Sequence, residues 1–203
     1  MDFTLEKVQG WPSACIFGVD EAGRGPWAGP VTAAAICLPP DFDLSVDDSK
    51  KLSKKKREAL FEELARLPHG IGTASVVEID TLNILQATFL AMRRAVDGLA
   101  AQIGAPAHVL VDGNRLPDWP YAGQAVTGGD GQSPSIAAAS ILAKVTRDRD
   151  MAALDAAFPG YGWASNKGYG AKAHKEGLEK LGVTPHHRKS YAPIAKILRV
   201  ETA

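Results

Sequence analysis

Cysteine is scarce in this 203-residue chain, which carries Cys15 and Cys37 and no CxxC spacing. Neither a zinc site nor a redox pair is suggested, and both thiols sit in apolar strand-like runs that read as buried. Long hydrophobic runs are missing too. The longest, Ile136 to Val145, is rich in alanine and interrupted by Lys144, far short of the ~20 apolar residues that a membrane helix needs. The opening Met-Asp-Phe-Thr-Leu-Glu-Lys has neither the basic nor the apolar region of a secretory signal. A cytoplasmic protein with no membrane association is therefore expected. Charge of one sign is not in excess, since 23 basic and 23 acidic side chains leave a formal net charge of +0. A nucleic-acid partner then requires positive charge to be clustered, and Lys50, Lys51, Lys54, Lys55, Lys56 and Arg57 do fall within eight residues.

Apolar runs at Cys15–Val19 and Pro30–Leu38 read as adjacent strands joined by a tight glycine-rich connection. Residues 54–67 show helical spacing behind an N-cap at Ser53, and Pro68-His69-Gly70 ends that helix. Gly72–Val77 is expected as a third strand, Thr81–Ala101 as one long helix, His108–Asp112 as a fourth strand and Gln124–Thr127 as a fifth. Ser135–Phe158, 171–181 and Pro193–Val200 read as helices, with a basic loop at Pro185–Ser190. This order predicts an α/β fold, a mixed sheet of about five strands with helices on both faces. No repeat or interdomain linker is apparent, so residues 1–203 are expected to form a single domain, with about 171–203 as a small C-terminal helical extension.

The most informative stretch is Gly18-Val-Asp-Glu-Ala-Gly-Arg-Gly-Pro, where a buried-looking strand ends in Asp20 and Glu21 and enters a turn made of Gly23, Arg24 and Gly25. Adjacent carboxylates at a strand end repel one another unless a cation is supplied, and rigidly held acids bind metal or move protons. Glycine lets the backbone approach a ligand, so the natural ligand of the turn is a phosphate or a sugar. Asp112 ends the fourth strand and Asp130 follows the fifth. Acids from three segments suit two-metal phosphoryl chemistry with Mg²⁺, which takes oxygen ligands and keeps waters. Single strand-end aspartates are also ordinary turn formers, the reading given to Asp41, Asp43, Asp47 and Asp118, and Asp112-Gly113-Asn114 fits an Asx turn as well.

These pieces, with Asp48-Ser-Lys-Lys-Leu-Ser, Asn83-Ile-Leu-Gln-Ala-Thr, Val111-Asp-Gly-Asn, Ser135-Ile-Ala-Ala-Ala-Ser-Ile-Leu-Ala-Lys-Val-Thr-Arg-Asp, Asn166-Lys-Gly-Tyr-Gly and His187-Arg-Lys-Ser, resemble the type 2 ribonucleases H (ribonuclease HII) over roughly residues 14–195. The resemblance implies a ribonuclease H-like fold. It implies an endonuclease that hydrolyses RNA in RNA/DNA hybrids and cuts 5′ of a single ribonucleotide embedded in duplex DNA. Two Mg²⁺ or Mn²⁺ ions would act, leaving 3′-OH and 5′-phosphate ends in support of ribonucleotide removal. By matching position, Asp20, Glu21, Asp112 and Asp130 are the catalytic and metal-binding acids. Gly23, Arg24 and Gly25 read the 2′-OH at the RNA–DNA junction, and Tyr169 packs on the adjoining deoxyribose.

Phosphate contacts are expected from Lys50, Lys51 and Ser53, from Lys144 one helical turn after Ser140, and from Arg188 in the basic loop. Lys54–Arg57 also fit a solvated helix face. Gly131-Gln132-Ser133-Pro134 departs from the pattern usual after the last acid and leads us to expect a looser backbone at Asp130. Type 3 relatives replace the turn arginine and usually carry an extra N-terminal domain, for which the roughly 13 residues before the first strand leave no room. Arg199-Val-Glu-Thr-Ala shows no sliding-clamp motif, and a monomer is expected. A silent hybrid-binding module would need the basic loops and the turn but not the four acids.

Overall fold

The computed structural model describes residues 2–43 and 53–201. Its strands are β1 (Ile16–Ala22), β2 (Val31–Cys37), β3 (His69–Ala74), β4 (His108–Asp112) and β5 (Gly123–Val126). They form one sheet in the order β3-β2-β1-β4-β5. β2 runs antiparallel to both β1 and β3, while β4 runs parallel to β1 and to β5. The mixed five-strand sheet expected from sequence is present. Because Val19 pairs with Val111 across parallel strands, the next residues, Asp20 and Asp112, emerge side by side at the carboxyl ends. That is where open α/β sheets present ligands.

Period-two alternation in β1 divides the core. Phe17 and Val19 face α4 (Ile84–Ile103) with its buried Ala91, Met92, Ala95 and Leu99. Ile16, Gly18 and Asp20 face α5 (Pro134–Ala157). A Cβ on Gly18 would lie 2.1 Å from the Ser135 carbonyl carbon, so glycine sets the close approach of α5 to β1. α2 (Lys54–Leu64) covers the α5 side of the sheet through Leu64.

The expected strand 72–77 is displaced. β3 begins at His69, and Val76 and Val77 belong instead to α3 (Val76–Leu82). Ser75 forms a full capping box with Glu78 there, and satisfying two orphan helix N–H groups outweighs the strand propensity of the valines. The expected long helix 81–101 is likewise two. Asn83, at φ 72°, ends α3 and caps α4 by accepting from Leu85 and Gln86 N–H.

The sequence reading placed nothing before β1. The structure has α1 (Thr4–Val8), fixed by a buried Glu6 that accepts from the hydroxyls of Ser133 and Ser135 at 2.5 and 2.6 Å.

The chain closes with α6 (Trp163–Asn166), α7 (Lys172–Leu181) and α8 (Ala192–Glu201). Trp163, Leu178 and Ile194 pack with Ala28 and Met151 into a further core that joins these helices to the turn after β1. The two cysteines are only half-buried, a correction to the buried reading, because both sit at the end of the sheet opposite the acids. Their sulfurs stand 3.0 Å apart as free thiols, and burial pushes Cys37 up to about 12, which keeps it protonated. Among the described residues no helix is long and apolar enough to cross a membrane.

Candidate active site

A cavity of about 350 Å³ opens at the carboxyl ends of β1 and β4. Asp20, Glu21 and Asp112 give it an acidic wall, and Gly23, Arg24, Gly25, Ser140, Lys144, Arg147 and Tyr169 also line it. Asp20 is 4% exposed, and its carboxylate accepts from the Glu21 N–H at 2.6 Å and from the Ser140 hydroxyl. Burial, then the negative charges of Glu21 and Asp112, raise it well above the ordinary 3.8. Burial also raises Glu21, against the opposing pull of Arg24, whose guanidinium lies 3.3 Å away. Asp112 is no isolated Asx turn, since its carboxylate accepts the Gly129 N–H at 2.7 Å and joins the end of β4 to the 3-10 turn Gly129–Gly131.

Asp130 sits in that turn, buried, one residue from the Asp112 contact but outside the cavity wall. The looser backbone expected there is not found. The Ser133 N–H donates to the Gly129 carbonyl, Gln132 donates to the Thr127 and Gly128 carbonyls, and Ser133 caps α5.

Among the described residues, no three acids, imidazoles or thiols stand close enough to form a finished metal cage. The donor set nevertheless fits a hard divalent cation. Three carboxylates share one cavity, and a cation that keeps several waters needs few protein oxygens. Such a cation would also offset the repulsion that raises Asp20.

The turn is built by close packing. Gly23 has φ +99°, and a Cβ there would lie 1.9 Å from Arg147 Nε. A Cβ on Gly25 would lie 3.2 Å from the ring of Tyr169, a half-exposed side chain that packs against the turn. Arg147, buried on α5, donates to the Pro30, Lys167 and Ala28 carbonyls at 2.9, 3.1 and 3.2 Å. Burial, then the charge of Arg188, lowers it to about 10.

Tyr169 is held from behind by a histidine pair. Thr184 N–H donates to His187 Nδ1 at 2.9 Å, so the His187 proton lies on Nε2 and points at His174 Nε2, 3.0 Å away. Trp163 Nε1 also donates to His174 Nε2. The His174 proton is then on Nδ1 and meets the Tyr169 carbonyl at 2.9 Å. Burial, then the neighbouring His174, where a second positive charge would be repelled, lowers His187 to about 4.

The remaining sequence-derived residues divide. Lys144 reaches the cavity and pairs with Asp148 at 2.7 Å. Ser53 caps α2 by accepting the Lys56 N–H and lies away from the cavity wall, so it is a helix cap here. Lys50 and Lys51 lie outside the described residues. Arg188 contradicts the phosphate expectation. It is 0% exposed, and its guanidinium is taken up by the carbonyls of Gly23, Arg24, Gly29 and Pro30 and by the Tyr191 hydroxyl. Sequence reasoning gave no role to Ser140 or Arg147. The signal was present, because Ser140, Lys144 and Arg147 recur at four- and three-residue intervals along one face of α5. It also missed the His174–His187 pair, whose spacing of 13 positions matches no local pattern.

In sequence and in fold the chain is similar to known proteins. A family model described as Ribonuclease HII matches residues 17–194. The Ribonuclease HII of Sphingopyxis alaskensis is 56% identical over 183 residues, covering 90% of this chain and 91% of that relative. The crystal structure of the ribonuclease H2 from Pyrococcus horikoshii superposes with a TM-score of 0.74 at 27% identity, over 93% of this chain and 99% of that one. Bst-RNase HIII, solved in complex with Mn²⁺, shares the fold at a TM-score of 0.71 and 20% identity, covering 93% of this chain and 70% of its own.

Proposed function

The chain belongs to the ribonuclease HII family of nucleases, and from that premise we propose that it hydrolyses the RNA strand of RNA/DNA hybrids and cuts 5′ of single ribonucleotides embedded in duplex DNA, supporting their removal. The observation that carries this reading is one cavity lined by the strand-end acids together with the Gly23–Gly25 turn and the Tyr169 ring that packs on it. The acids meet the phosphodiester while the turn and the ring meet the sugar beside it.

Asp20, Glu21 and Asp112, with Asp130 behind the Gly129 bond to Asp112, would hold divalent cations, Mg²⁺ or Mn²⁺. When bound, these ions supply Lewis acidity at the phosphate and at the departing oxygen. The chain's own residues do the rest. Ser140 orients the Asp20 carboxylate, and Arg24 holds Glu21. Lys144 faces the cavity as a phosphate contact. Turn N–H groups donate to the 2′-OH, the one group that distinguishes the ribose, and Tyr169 packs on the next sugar.

Water adds to phosphorus as the bond to the 3′-oxygen of the preceding nucleotide breaks. The products are a 3′-OH and a 5′-phosphate on the ribonucleotide. The sheet and the C-terminal helices act as one catalytic domain, since the bridge between Ala28 and His187 and the bonds of Arg188 join them at the turn.

The test is incubation with Mg²⁺, and separately Mn²⁺, of a DNA duplex containing one ribonucleotide, beside an all-DNA duplex and a continuous RNA/DNA hybrid. Cutting 5′ of the lone ribonucleotide with the all-DNA control intact is expected. Cutting of the hybrid alone would contradict the junction reading, and no cutting with either ion would favour a binding module.

A further inference from the structure

We infer that Arg188 is a positioning residue that sets the donor face of the glycine turn, holding the Gly23 and Arg24 carbonyls inward so that the Arg24 and Gly25 N–H groups face the ribose. The inference rests on the reading of the cavity as the ribonucleotide site. Arg188 Nη2 donates to the Gly23 carbonyl at 2.5 Å and Nη1 to the Arg24 carbonyl at 2.8 Å. In a trans peptide the C=O and the following N–H point in opposite directions. Drawing the Gly23 oxygen back therefore aims the Arg24 N–H forward, and drawing the Arg24 oxygen back aims the Gly25 N–H forward. Both residues line the cavity, whereas Arg188 is fully buried and does not line it.

The same plane reaches the other end of the loop, through Nε to the Gly29 carbonyl at 3.0 Å and Nη2 to the Pro30 carbonyl at 3.1 Å. One rigid fork thus spans Gly23 to Pro30, which the compact ammonium of a lysine cannot do. The Tyr191 hydroxyl completes the arrangement, accepting from Arg188 Nη1 at 3.0 Å and donating to the Arg24 carbonyl at 2.5 Å. Arg147 supports the loop from α5 through Pro30 and holds the segment leading to Tyr169 through Lys167. The backbone donors of the turn are thereby fixed relative to the aromatic ring before any substrate arrives.

The discriminating readout is the ratio of kcat/KM on a duplex with one ribonucleotide to kcat/KM on a continuous RNA/DNA hybrid. A hybrid offers a 2′-OH at every sugar, so a displaced turn still finds one, whereas a lone ribonucleotide offers a single target. Arg188→Lys is expected to lower the ratio at least about tenfold, and Tyr191→Phe, which removes one oxygen, roughly threefold. Thermal melting of each variant establishes that it is folded at the assay temperature. A purely structural role would lower both rates together and leave the ratio unchanged, which overturns the inference. If Arg188→Lys does not fold, an unchanged ratio in Tyr191→Phe overturns it instead. Wild-type protein that cuts neither substrate removes the functional reading, and this inference with it.

Discussion

Asp20 and Arg188 are both buried charged residues beside the Gly23–Gly25 turn, yet their surroundings have opposite consequences. Asp20 sits among like charges, with Glu21 and Asp112 on the same wall, and is driven toward its neutral form. Arg188 has neutral oxygens at every donor, four carbonyls and a hydroxyl, and stays charged without a carboxylate bond. A cluster that repels itself is completed by a ligand of opposite charge. A cluster satisfied by backbone dipoles is complete as it stands and serves to hold shape. The acidic wall is the half that waits for something, and the turn with its arginines is the half that is ready beforehand.

Asp20→Asn breaks the waiting half and carries the largest expected effect. Turnover should fall by at least about a thousandfold, the scale of losing a group that acts only in the reaction. Metal-free stability should nevertheless rise at pH 8. The sign follows from linkage. A carboxyl raised above 3.8 in the folded chain keeps a proton that the unfolded chain has released, so stability is lost as pH rises from 3.8 through the raised value. The asparagine has no such proton to lose. Melting curves of both proteins in chelator across that range check it, and a variant less stable than wild type at pH 8 would sink the comparison.

Gly23→Ala breaks the ready half. With φ at +99° and Arg147 Nε at 1.9 Å from the new Cβ, it should cost at least about 2 kcal/mol in denaturant unfolding. Gly25→Ala meets only the half-exposed Tyr169 ring at 3.2 Å. It should leave stability within about 0.5–1 kcal/mol of wild type while lowering cleavage at a lone ribonucleotide. Equal stability losses in the two variants would show that the turn is not anchored at its Arg147 end.

A smaller effect separates the halves by pH. His187 is depressed from 6.5 to about 4, so the unfolded chain gains a proton first as pH falls. Its contribution is full above 6.5 and is lost between 6.5 and about 4, the reverse of the Asp20 trend. At about 1.4 kcal/mol per pKa unit, the loss over about 2.5 units amounts to roughly 3.5 kcal/mol. His187→Asn should flatten the acid limb of the stability profile. An unchanged slope would mean that the pair does not stay neutral when folded.

The strands that carry the acids were legible because each is a short apolar run that stops in a carboxylate; β4 ends at Asp112 as expected, while β1 continues through Asp20 and Glu21 to Ala22. The grouping of Asp20, Glu21 and Asp112 follows from the parallel pairing of β1 with β4, a tertiary neighbour relation that the element order alone does not give. Local sequence could not give the break at Asn83, since hydrophobic spacing runs through it and only the left-handed backbone and the cap reveal the boundary. Arg188 was misread for a physical reason. An arginine in a basic, polar loop looks solvated, and its burial depends on carbonyls from more than 150 positions earlier in the chain. The His174–His187 contact was hidden because a spacing of 13 positions carries no local pattern and only the fold brings the two rings together.

The most direct test of the acidic wall as a cation site is a Mn²⁺ titration followed by electron paramagnetic resonance, comparing wild type and Asp20→Asn at pH 8. The account predicts that wild type withdraws Mn²⁺ from the free signal and that Asp20→Asn binds at least about tenfold more weakly. Equal binding by the two proteins would contradict it.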